Sequence, residues 1–263
     1  MLAIVSAMPE EIAGVLQALA DVRIQEFGRR QFHTGALQGA EVVVVFSRWG
    51  KVAAAATVTQ LLSSYPVAGL VFGGVAGGVR PGLAIGDIVV ATELVQHDMD
   101  ASPLFPRYEV PLLGKARFTA DPVLCEQLTA AASTFLTEDL SAQVAPQERE
   151  FFKITAPQVV QGLVASGDKF FASATEVHDL RQRLPEVCCV EMEGAAVAQV
   201  CDEYDIPFAV VRTISDSADE NSVHDFPRFS REIARHYSIG VLSRFLTGRA
   251  VKGRLSKSSA KSG

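Results

Sequence analysis

Along the chain, short unbroken apolar runs alternate with longer stretches whose apolar positions recur every three or four residues. The unbroken runs are "LAIVSAM" (2–8), "EVVVVFS" (41–47), "VAGLVFGG" (67–74), "DIVVATELV" (87–95), "QGLVASG" (161–167) and "FAVVRTI" (208–214). Strands with no polar face need cover on both sides. The helical period fits "PEEIAGVLQAL" (9–19), "KVAAAATVTQLLSSY" (51–65), "DPVLCEQLTAAASTFL" (121–136), 191–204 and "FPRFSREIARHYSIGVLSRFL" (226–246). Pro9 and Pro122 stand near first-turn positions, where a missing N–H costs nothing. Strands alternating with helices predict an α/β fold, a single-domain layer sandwich over residues 1–248 with a central mixed β-sheet flanked by helices. Residues 137–158, "TEDLSAQVAPQEREFFKITAPQ", have no clear period and read as a long loop or lid. Residues 249–263 are small, polar and basic, the makeup of a disordered tail.

Composition narrows the partners. The chain has 263 residues, 48% of them hydrophobic, enough to bury a real core. With 30 acidic against 24 basic residues the net charge is −6, so no broad basic surface is available for nucleic acid or anionic lipid. Cys125, Cys188, Cys189 and Cys201 show no C-x-x-C spacing and read as reduced, buried thiols of a cytoplasmic protein. The first apolar run has no basic residues before it and is broken by Pro9, Glu10 and Glu11, so neither a signal peptide nor a membrane span is expected.

Four stretches carry candidate chemistry. "FGGVAGGVRPG" (72–82) lacks the helix-opening G-x-G-x-x-G and the Gly-Lys-Ser/Thr of phosphate loops, so a tight turn and a ligand loop both fit it. "HDMD" (97–100) invites a metal reading, but no second His or Cys cluster offers a third ligand, and a hydrogen-bonded loop is favoured. "VVRTISDSAD" (210–219) ends an apolar strand in Arg212, Ser215 and Asp216, where α/β proteins line their ligand crevice; a buried Arg–Asp pair fixing a turn is the alternative. "VEMEGAAVAQV" (190–200) sets Glu191 and Glu193 in an apolar run. On one helix their side chains would lie about 200° apart, so they cannot act as a matched pair.

Taken together and in order, "SAMPEE", "GKVAAA", "GGVAGGV", "GDIVVA", "HDMD", "SGDKFF", "VEMEGAAVA" and "VRTISDSAD" resemble the 5′-methylthioadenosine/S-adenosylhomocysteine nucleosidases of the purine nucleoside phosphorylase-like superfamily, over residues 1–246. The resemblance implies a general base at Glu11, an acid engaging purine N7 at Asp216, and ribose hydroxyls held by Glu193, beside Met192. Arg212 would help position the catalytic water, and Ser215 would orient Asp216. Phe170 would stack on adenine while the backbone of Phe171 reads its edge. Met8 and Phe226 would form the pocket for the 5′ group, and Leu104 and Pro111 of a second copy would cover it, implying a homodimer. Glu191 receives no role beyond a structural one. The family implies no metal and no organic cofactor.

Such a reaction needs a proton donor at the base and an activated water at the anomeric carbon, so Asp216 must hold its proton and Glu11 must stay ionised. A glutamate beside the nucleophile repels phosphate and suits hydrolysis. Two positions depart from the family. Val75 stands where a hydroxyl is common, and Trp49 stands where a smaller aliphatic residue lines the 5′ pocket. An aminodeoxyfutalosine nucleosidase, a phosphate-dependent phosphorylase and a non-catalytic nucleoside-binding protein are the alternatives.

Overall fold

The computed structural model describes the backbone of residues 1–259 and the side chains of residues 1–249. Its strands are β1 (Leu2–Ser6), β2 (Ala20–Phe27), β3 (Arg30–Leu37), β4 (Ala40–Phe46), β5 (Gly69–Gly78), β6 (Ile88–Gln96), β7 (Arg117–Thr119), β8 (Val159–Ser166), β9 (Val187–Glu191) and β10 (Phe208–Asp216). The helices are α1 (Pro9–Ala18), α2 (Lys51–Ser64), α3 (Pro122–Thr134), α4 (Leu140–Gln143), α5 (Pro146–Phe151), α6 (Ala174–Arg183), α7 (Gly194–Glu203), α8 (Ser222–Phe229) and α9 (Arg235–Ser259), with π-helical turns at Phe135–Asp139 and Ser230–Ala234.

All ten strands join one mixed sheet flanked by helices, as the alternation predicts. Every residue of β1 and β10 is buried, in keeping with their unbroken apolar sequences. The sheet is more curled than an open layer. β10 pairs with both β5 and β6, β6 continues to β8, β8 to β9, and β9 returns to β5 through Gly77↔Val190 and Gly78↔Cys189. These pairings close a small barrel, and β1, β4, β3 and β2 extend from it as a wing. Closure brings the carboxyl ends of β5, β9 and β10 together, and the site forms there.

The segment 137–158 differs from the loop expected. It continues α3 through a π-helical turn into α4 and α5, and Arg244 of α9 anchors it by donating to both carboxylate oxygens of Asp139 at 2.8 and 2.7 Å. Leu140, Val144 and Phe152 are buried, an apolar spacing that the intervening charges obscure. The helix expected from 226 begins at Ser222, and the one expected from 191 begins at Gly194. Backbone expected to be a tail from residue 249 is helical as far as Ser259; residues 260–263 lie outside the described residues. No helix among the described residues is long and apolar enough to cross a membrane.

Candidate active site

At the carboxyl ends of the barrel strands lies a cavity of about 530 Å³, bordered by Glu11, Glu193 and Asp216. Each of these carboxylates is brought there by a different local device.

Glu11 is the third residue of α1. From there its side chain folds back over the helix N-terminus, as the acidic member of a capping box does. One carboxylate oxygen accepts the backbone N–H groups of Ala7 and Met8, both at 2.9 Å, and the other accepts that of Val75 at 2.9 Å. Burial pushes its pKa up, while the positive charge of Arg212 and the three amides oppose that rise. The result is a carboxylate more basic than usual yet held by donors that favour its ionised form. Gly74 makes this possible, because a Cβ there would stand 2.7 Å from the Glu11 oxygen. The Gly-rich stretch is therefore part strand and part turn: residues as far as Gly78 belong to β5, thinned to admit a side chain from α1, and Pro81–Gly82 form the turn, closed by the Leu83 amide donating to the Arg80 carbonyl at 3.2 Å.

Asp216 closes β10. The register between β10 and β5 slips between Ile214 and Asp216, and such a bulge re-aims the side chains beside it. The Asp216 carboxyl accepts the Ser215 hydroxyl at 2.7 Å and the Ala218 amide at 2.9 Å. Burial raises its pKa, the hydroxyls of Ser222 and Ser215 and the Ala218 amide oppose that rise, and Asp225 adds a like charge. The neighbour of Glu11 is a cation and that of Asp216 an anion, a contrast that favours the charged form of the first and the protonated form of the second.

Glu191 and Glu193 do not share a helix. Glu191 is the last residue of β9, and Glu193 is the N-cap of α7. Glu191 accepts the amides of Glu193 and Gly194, the Ser166 hydroxyl, and the Arg212 guanidinium at 2.7 Å. Glu193 accepts the Gly50 amide at 2.7 Å, and burial together with the Glu191 charge pushes its pKa up to about 8.

Arg212 lies behind the cavity wall and does not border the cavity itself. Its side chain is 1% exposed, ion-paired with Glu191 and 4.2 Å above the Phe72 ring. It acts on the cavity as a buried positive charge shared by Glu11, Glu191 and Glu193.

The remaining residues form the rim. Phe226 packs edge-on against both Trp49 and Phe170, with ring centroids 5.6 and 5.5 Å apart. Met8, Val75, Met192, Phe171 and Ser215 also border the cavity. Leu104 and Pro111 do not; they lie on the segment between β6 and β7, where Leu104 is 84% exposed.

These features have counterparts in known proteins. The profile of the phosphorylase superfamily matches residues 1–247. A 5′-methylthioadenosine/S-adenosylhomocysteine nucleosidase of Anoxybacillus flavithermus is 37% identical over 238 residues, 90% of this chain and 94% of the relative. The chain belongs to this nucleosidase family within the phosphorylase superfamily. A crystal structure of the Neisseria meningitidis nucleosidase in complex with methylthio-immucillin-A superposes with a TM-score of 0.82 at 33% identity, covering 94% of this chain and 98% of that one. The futalosine hydrolase of Helicobacter pylori superposes at 0.78 and 30% identity, over 92% and 96%.

Within this nucleosidase family member, several site neighbours escape a reading of the sequence. Ser166 donates to Glu191 and accepts the Ala195 amide at 2.7 Å, and Lys169 borders the cavity. The hydrogen-bonded loop expected of "HDMD" is there: Asp98 accepts Lys51 at 2.7 Å and the Asp168 amide at 2.9 Å, which ties the "GKV" and "SGDKFF" segments together. His97 stacks on Phe171, ring centroids 5.3 Å apart. The one available signal was that these polar residues fall at strand ends or just beyond them.

Proposed function

We propose that this protein hydrolyses the N-glycosidic bond of 5′-methylthioadenosine and S-adenosylhomocysteine, releasing adenine and the 5-thioribose product. The observation that carries the reading is the convergence of Glu11, Glu193 and Asp216 on one cavity, with opposite charges beside the first and the last. Water adds its oxygen to the anomeric carbon and gives a proton to Glu11. The bond to N9 breaks, its electrons pass into adenine, and Asp216 delivers its proton to N7. Glu193 holds the ribose hydroxyls, Phe170 stacks on the base, Phe171 reads its edge, and Ser215 orients Asp216. Arg212 orders the nucleophile side through its charge and through Glu191.

Positive charge builds on the ribose as the bond breaks, and that charge favours ionised Glu11 and Glu193 over their protonated forms. Val75 contributes its backbone N–H to Glu11, a role that needs no hydroxyl, which accounts for its tolerance at that position.

The buried free thiols fit a reducing, cytoplasmic setting. The exposure of Leu104 (84%) and Leu112 (95%) fits a homodimer in which that segment covers the neighbour's 5′ pocket. A futalosine-type substrate is the second reading, supported by the likeness to the Helicobacter pylori hydrolase.

The test is incubation with methylthioadenosine in phosphate-free buffer, following adenine by chromatography and identifying the sugar. Adenine with free methylthioribose supports the proposal. Release only with added phosphate, as 5-methylthioribose 1-phosphate, makes the protein a phosphorylase. No release in either buffer overturns the methylthioadenosine assignment and turns the assay to aminodeoxyfutalosine.

A further inference from the structure

Beyond the catalytic cavity, on the far side of its rim, opens a vestibule of about 970 Å³. Ala7, Met8, Trp49 and Phe226 border both spaces, so they form a throat between them. The two sides of the throat differ in chemistry. On the catalytic side stand buried carboxylates; on the outer side stand Arg48, Arg231 and Glu10.

These three charges have capacity to spare. Arg48 gives one N–H to the Arg29 carbonyl at 2.8 Å, and Arg231 gives its Nε–H to Glu232 at 2.8 Å. A guanidinium carries five N–H donors, so each arginine has others to offer. Glu10 forms no ion pair among the described residues. Ser230 borders the same vestibule, is 5% exposed, and its hydroxyl has no hydrogen-bond partner. Its oxygen is sealed from solvent, so the three exposed charges are the groups a ligand can reach.

Resting on the nucleosidase reading, we propose that the vestibule is a subsite for the charged end of a long 5′ substituent. The substituent threads the throat between Met8, Trp49 and Phe226. Its carboxylate meets Arg48 and Arg231, and its ammonium meets Glu10. A methylthio group ends within the throat and gains nothing from these charges. The vestibule thereby sets the preference for amino-acid tails over short apolar ones, a role that neither the catalytic carboxylates nor the adenine stack can fill.

The experiment measures kcat/KM for three substrates: methylthioadenosine, S-adenosylhomocysteine, and a 5′-(3-aminopropylthio) analogue that keeps the ammonium and lacks the carboxylate. It uses the full chain and the variants Arg231→Gln, Arg48→Gln, their double variant, and Glu10→Gln. Each arginine variant should lower the homocysteine-to-methylthio ratio by roughly three- to fivefold, the range of a solvent-accessible ion pair, and the double variant by more. Glu10→Gln should lower the aminopropyl-to-methylthio ratio by a similar factor. Raising the ionic strength should weaken the homocysteine substrate selectively in the wild type and not in the double variant. Ratios unchanged in the double variant and in Glu10→Gln overturn the subsite, as does an equal fall for all three substrates, which marks a structural role. Adenine release from none of the three by the wild type overturns the nucleosidase reading itself, a result distinct from unchanged ratios.

Discussion

The floor of the cavity and its rim are built by different means. On the floor, every carboxylate is buried and held by two or more backbone amides, a hydroxyl or a buried guanidinium, except Glu193, which has the single amide of Gly50. At the rim, Trp49 is 51% exposed, and contact is aromatic edge on aromatic face. A floor of this kind cannot be altered without leaving a buried polar group unpaired. A rim of this kind exchanges one apolar surface for another. The proposed bond-breaking chemistry accordingly rests on the hydrogen-bonded floor, and a change of 5′ tail would be met first at the aromatic rim.

The hardest way to break the comparison is to unpair the floor. Glu191→Gln leaves Arg212 buried without its partner and should cost roughly 3 kcal/mol or more of stability, read from denaturant unfolding. A change below 1 kcal/mol would show that Glu11 and Glu193 balance that charge without help. Next in size are the reacting carboxylates. Glu11→Gln and Asp216→Asn should each reduce turnover by on the order of 10²-fold or more in the adenine-release assay. Either variant turning over normally removes its assigned role.

Glu193→Gln sharpens the comparison through pH. The folded state keeps the Glu193 proton up to about 8, whereas the unfolded chain releases it near 4.5. Between those values the folded form binds more protons, so this residue makes stability fall as pH rises through the window. Glu193→Gln should flatten that fall, so that the melting temperatures of the two proteins diverge by a few degrees between pH 5 and 8. Parallel pH profiles would mean that Glu193 is ionised throughout.

The smallest effect belongs to the rim. Trp49→Ile should shift the ratio of kcat/KM values for methylthioadenosine and S-adenosylhomocysteine by roughly fivefold with little loss of stability. An unchanged ratio would place tail selection elsewhere.

The same division explains what could be read from the sequence. Apolar runs revealed β1, β4, β5, β6, β8 and β10, because each has a run of consecutive buried residues and so is covered on both faces there. β2 stayed hidden: it is an edge strand, exposed along most of its length, and its residues carry no burial signal. α6 was missed for the same reason, since only Leu180 of that helix is buried. The barrel closure was not legible, because it depends on two residue pairs between β5 and β9. Among site residues, the ordered motifs pointed to Glu11, Glu193 and Asp216, and all three border the cavity. They also gave Arg212 a part in positioning the catalytic water; the structure sets it behind the wall, paired with Glu191. Its partner Glu191 was left without a partner in the sequence reading, because a contact across 21 residues leaves no local pattern. The helical-wheel separation of Glu191 and Glu193 failed because the strand ends between them.

Gly74 has a consequence for heredity. It contributes no chemical group, yet the Glu11 carboxylate occupies the volume its side chain would fill. Glycine and alanine codons differ at one nucleotide, so a single transversion can dislodge Glu11 while every reacting residue is still encoded. The portion of the gene in which one base change silences the enzyme is thus wider than the codons of its reacting groups.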